Sequence, residues 1–165
     1  MAKNSGVALF AVALCFSSLL SLALATTDEH FFVEGKVYCD TCRVQFETKL
    51  SEYLQGAKVA LECRKREGGD ITYTQEAITG TDGKYKIAVQ GNHEEEICEV
   101  KVEKSPRDDC GEIVQGRNRA RVVLTNNNGV AQPVRFANSL GFLKNEPVAG
   151  CRQVLIDLGF IGVQF

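Results

Sequence analysis

The stretch FFVEGKVYCDTCR, Phe31 to Arg43, decides the fold. Val33, Gly35, Val37 and Cys39 alternate with Phe32, Glu34, Lys36 and Tyr38. A period of two predicts a strand with one buried face. The strand runs into Cys39-x-x-Cys42 around the turn-prone pair Asp40-Thr41. Three chemistries use such a cysteine pair. A zinc half-site calls for a second pair at matching spacing or for nearby histidines, and neither accompanies this one. A redox dithiol belongs at the start of a helix in a βαβ setting, whereas this pair follows a strand. Structural disulfides are the expected reading.

The segment before this strand reads as an export address. Lys3 gives a basic start, Val7 to Leu14 and Phe16 to Leu24 form an apolar core, and Ala23-Leu24-Ala25 is a small-x-small cleavage site. A membrane anchor is the competing reading. The core is short, is interrupted by Ser17, Ser18 and Ser21, and no basic stop-transfer run follows. Residues 1–25 are therefore expected to be a signal peptide, with one domain over 26–165. No later stretch is apolar enough to span a bilayer, and the chain ends Gly162-Val163-Gln164-Phe165 without a retention tetrapeptide. The expected destination is the extracellular space or cell wall.

Setting aside residues 1–25, which hold Lys3 and no acid, leaves 140 residues with 18 bases and 21 acids, a formal charge of −3. That is one domain able to bury a core, and its weakly acidic balance disfavours nucleic acid as a partner. Six of the seven cysteines lie past the signal: Cys39, Cys42, Cys63, Cys98, Cys110 and Cys151. In an oxidising compartment they predict three disulfides, and about 15 pairings are possible.

The rest of the chain repeats the strand signal. Arg43 to Gln55 predicts a short helix or a compact loop ended by Gly56. Lys58 to Arg64 and Ile71 to Ala77 read as strands. Thr81-Asp82-Gly83 predicts a hairpin into Lys84 to Gln90. Ile97 to Glu103 alternates with Cys98, Val100 and Val102 inward. Cys63 and Cys98 thus both fall on core faces, where a bridge would join two sheets. Arg119 to Thr125 and Val130 to Phe136 are further strands around an Asn-Gly turn, and Pro133 marks the second as an edge. Cys151, Val154, Leu155 and Leu158 predict a terminal helix capped by Gly159. About seven short strands argue for an all-β antiparallel sandwich or barrel.

Catalytic material is scarce. His30 precedes the first strand, and His93 lies in the acidic run Asn92 to Glu96, which reads as a solvated loop. Nucleophile-elbow, zinc-protease, EF-hand and phosphate-loop motifs are absent, and Asp108-Asp109 is too generic to imply glycosidase work. The expectation is a non-enzymatic protein with no cofactor, no metal site and no catalytic residue. One surface feature stands out. Arg117, Arg119 and Arg121 recur at period two, a stripe fit for an acidic polysaccharide or an acidic receptor surface, or a charged edge strand kept soluble. Phe32 and Tyr38 are candidates for an exposed contact patch, but packing under a loop is the expected reading. No Asn-x-Ser/Thr site occurs, so no N-glycan is expected.

Glu34-Gly35-Lys36-Val37-Tyr38-Cys39-Asp40-Thr41-Cys42-Arg43 resembles the signature of the Ole e I family without a departure. These are secreted plant proteins named for the olive major pollen allergen and also described as pollen allergen and extensin family proteins. The resemblance extends through Gly56-Ala57-Lys58-Val59, Thr81-Asp82-Gly83-Lys84-Tyr85 and Cys151. It implies a seven-stranded antiparallel β-barrel or sandwich with Cys39–Cys110, Cys42–Cys151 and Cys63–Cys98 paired. It also implies a non-enzymatic role in pollen hydration and tube growth through receptor or cell-wall contacts. Many family members carry an N-glycan, and this chain lacks the sequon for one.

Overall fold

The computed structural model describes residues 30–160, so the expected signal peptide lies outside the described residues. The described chain folds as β1 (His30–Asp40), β2 (Glu52–Tyr53), β3 (Lys58–Lys65), β4 (Ile71–Ile78), β5 (Lys84–Gln90), β6 (Glu96–Lys104), β7 (Arg119–Val122), β8 (Val134–Phe136), β9 (Leu140–Leu143) and a helix, α1 (Cys151–Asp157). β1 is the axis of a five-stranded sheet. β5 and β8 flank its first half, and β2 and β9 flank its second half. The other sheet has four strands in the order β4-β3-β6-β7. Phe31, Val33, Val37, Ile87 and Val89 from the first sheet meet Val59, Leu61, Val100, Ala120 and Val122 from the second in one buried core. The period-two pattern survives most cleanly in β5, where Tyr85, Ile87 and Val89 are buried and the residues between them are exposed.

The structure departs from the sequence expectation at several points. Among the described residues nine strands form rather than seven, because the Arg43–Gln55 segment is a compact loop carrying β2, and β9 forms where the sequence lacks polar alternation. β9 reads Leu-Gly-Phe-Leu and is buried at all four positions, as a strand covered on both faces requires. The sheets are not wholly antiparallel: β8 and β9 both run parallel to β1. Thr81-Asp82-Gly83 turns the chain but forms no hairpin, since β4 pairs with β3 while β5 crosses to the other sheet and pairs with β1. Gly83 takes the positive φ of 70° that the turn needs. The strand expected over 130–136 shrinks to the three residues of β8, and the Pro133 carbonyl accepts from Phe32 N at 3.0 Å. In the helix, Cys151, Val154 and Leu155 are buried and Leu158 lies beyond the last turn, 54% exposed. Gly159, at φ 89°, donates to Ile156 O at 2.9 Å and closes the helix.

Candidate interaction surface

The Cys39–Arg43 segment is consumed by architecture. Cys39 bonds to Cys110 and Cys42 to Cys151, and all four residues are buried. Asp40 is 1% exposed, and its carboxylate accepts from Cys42 N at 3.2 Å and Gln45 N at 2.6 Å. Those bonds hold a loop in which Arg43 (φ 57°) and Gln45 (φ 64°) adopt left-handed backbone, which side chains disfavour. Thr41 Oγ1 donates to Leu50 O at 2.7 Å, and Thr41 O accepts from Val148 N at 3.0 Å. Arg43 Nη1 reaches Glu112 at 2.7 Å and the Lys144 carbonyl. The segment thus knots β1 to the Glu112 region, to the chain after β9 and to α1. Cys39 to Cys42 are buried, and the partly exposed Arg43 side chain is held by Glu112.

Cys63 and Cys98 also bond, but not between sheets as expected. They sit directly opposite each other on β3 and β6 of the same sheet, with Cα atoms 4.0 Å apart. His93 and Glu96 lie close to this pair, all four side chains being within 4.8 Å. The sulfurs are spent on each other, and His93 Nδ1 lies 2.6 Å from Glu96 Oε2. The histidine is not in a loosely solvated loop: its ring packs on Tyr73 at 4.9 Å.

The outward faces carry the remaining chemistry. Arg119 and Arg121 project from edge strand β7, and Arg119 Nη1 lies 3.3 Å from Glu99. Arg117 falls in the turn before β7, where its carbonyl accepts from Gly141 N at 3.0 Å. The stripe is therefore a pair on the strand with a third arginine in the adjoining turn. All three are exposed, and among the described residues Arg117 and Arg121 form no ion pair. The Phe32–Tyr38 patch does not form. Tyr38 is 1% exposed because its ring lies across Gly141 of β9, where an added methyl would sit 2.9 Å from Cζ. Phe32 is half-buried beneath Lys86, whose Nζ is 4.4 Å from the ring centroid.

The middle of the four-stranded sheet is a charge lattice. Glu62 takes Lys101 at 2.6 Å and Arg64 at 2.8 Å, and Lys58 spans Glu76 and Glu103. Hydrogen bonds from Lys101, then Arg64, outweigh burial and hold the Glu62 carboxyl below its ordinary 4.5. A depressed folded pKa contributes stability that is present above the ordinary carboxylate value and lost as pH falls through the folded value. Glu62→Gln should therefore flatten the fall in melting temperature as pH drops below the ordinary carboxylate value, read by calorimetry over an acid pH series. An unchanged slope would remove Glu62 from the acid sensitivity.

Fold, bridges and surface together define a class: a two-sheet β protein locked by three disulfides, in which the most distinctive sequence is structural. The family profile described as Pollen protein Ole e 1 like matches residues 29–159, and the chain belongs to that family. It is 51% identical over 162 residues to the Olee1-like protein of Betula pendula, covering 96% of this chain and 95% of the relative. It is 52% identical over 153 residues to the anther-specific protein LAT52 of Solanum lycopersicum, covering 93% and 94%. The crystal structure of the major plantain pollen allergen Pla l 1 superposes with a TM-score of 0.66 at 33% identity, over 74% of this chain and 99% of that one. Among the described residues no helix is long and apolar enough to cross a membrane.

Proposed function

We propose that the protein is secreted through its N-terminal signal and acts in pollen as a non-enzymatic recognition protein. Its partner is a receptor ectodomain, contacted in the course of pollen hydration or tube growth. The observation that carries this reading is the commitment of Cys39, Asp40, Thr41, Cys42 and Arg43 to bridges and loop hydrogen bonds, which leaves the outer faces of a rigid scaffold as the working part. The pollen and anther origins named for the relatives support the setting.

A second reading rests on Arg117, Arg119 and Arg121, exposed on a sheet edge and largely without acidic partners. Such a set fits an acidic cell-wall polysaccharide. One experiment separates the two. The oxidised protein is immobilised and challenged with plant receptor ectodomains and with pectin, beside the Arg117→Ala/Arg119→Ala/Arg121→Ala variant. Ectodomain capture that persists in the variant and is lost on reduction is the expected result. Pectin binding that weakens in salt and disappears in the variant would favour the polysaccharide reading.

A further inference from the structure

The first sheet has a gap. β8 pairs with β1 over Phe32–Glu34 and β9 pairs with it over Val37–Asp40, so Gly35 and Lys36 have no strand partner on that side. Over the gap lies a cavity of about 610 Å³ whose lining includes Glu34, Lys36, Tyr85, Lys86, Phe136 and Ser139. That size lies within the range of small-ligand sites.

Its chemistry is specific. Phe136 is 76% exposed, the most exposed of the large apolar side chains described, and stands at the rim. Three lysines surround it, and each has a carboxylate: Lys86 with Glu34 at 2.8 Å, Lys36 with Glu47 at 2.9 Å, and Lys84 with Asp82 at 2.9 Å. The rim is therefore rich in donors and acceptors yet balanced in charge. Tyr85 borders the cavity, but its side chain, only 3% exposed, belongs to the core face of the sheet, where its hydroxyl is buried with no hydrogen-bond partner. Gly35 makes room for it, since a methyl group there would overlap the hydroxyl and lie 2.6 Å from Cζ.

We propose that this gap in the first sheet binds a neutral oligosaccharide. A pyranose presents an apolar C–H face to Phe136 and hydroxyls to the lysine–carboxylate pairs. An acidic saccharide would place its carboxylate against Glu34, Glu47 and Asp82 as well as the lysines. This site is separate from the arginines of β7, which lie on the other sheet.

The test titrates the oxidised, secreted protein with galactotetraose, xylotetraose and cellotetraose, and with trigalacturonate as the charged comparison, by calorimetry and amide NMR. At least one neutral tetraose should bind, shifting the amides of Gly35, Lys36 and Phe136. Raising salt about tenfold should change its affinity less than about twofold, since no net charge is neutralised. Phe136→Ala, an exposed change that leaves the core intact, should weaken binding about tenfold. Tyr85→Phe, a change on the core face, should leave binding unchanged while the melting temperature holds or rises, because the unpaired hydroxyl is gone. No binding by any of the four saccharides, binding by trigalacturonate alone, or neutral binding undiminished in Phe136→Ala would overturn the proposal.

Discussion

Cys42→Ala/Cys151→Ala should lose about 5 kcal/mol of stability, because this bridge closes the longest of the three loops. Its residues are 109 apart, against 71 and 35 for the other two pairs. In the chain-entropy account a longer loop removes more freedom from the unfolded chain. The loss is also local. α1 has only seven residues, too few to be stable alone, and the bridge ties its first residue to the loop after β1. Val154 and Leu155 supply its remaining buried contacts. Urea unfolding should show the drop in midpoint, and limited proteolysis should cut between Lys144 and Phe160 first. A variant that keeps its midpoint and resists cleavage there would mean that packing alone holds the helix.

Arg135→Met should cost about 3 kcal/mol, although the side chain has no acidic partner among the described residues to lose. Arg135 is 6% exposed on β8, and its guanidinium lies 4.9 Å from the Phe31 ring centroid. It donates to the carbonyls of Val123 at 3.1 Å, Thr125 at 2.9 Å, and Gln132. One planar fork thus satisfies carbonyls along the whole β7–β8 connection, and methionine leaves those acceptors without a donor. Arg135→Lys should recover little, since a single ammonium cannot reach the same spread of oxygens. Equilibrium unfolding gives the energy, and hydrogen exchange over residues 123–132 should quicken in both variants. If Arg135→Lys restores the wild-type midpoint, charge rather than the fork shape is what holds the loop.

What could be read from the sequence follows from physics that is local. Side-chain alternation in Lys84–Gln90 and Ile97–Glu103 is imposed by the pleat, so those strands and their buried faces were legible. The helix at Cys151 showed in its apolar spacing and its closing glycine, for the same reason. The all-β class followed, and the signature around Cys39 pointed to the family. Features set by contacts between distant segments were not legible. Tyr38 looked outward by alternation, but Gly141 of β9, about a hundred residues on, lets its ring be covered. Asp-Gly at 82–83 carries the same turn chemistry whether the next strand returns beside β4 or crosses to β1, and only partner choice decides between them.

The sequence by itself determined the all-β class, the family and six cysteines suited to three bridges, because periodicity and composition act over short stretches of chain. Tertiary structure alone decided the parallel pairing of β8 and β9 with β1, the burial of Arg135 and the gap at Gly35–Lys36. The reason is geometric. A short strand such as Val134–Phe136 has too few residues to specify its neighbour, so its place is fixed by which edge of β1 remains open once β5 has taken the other.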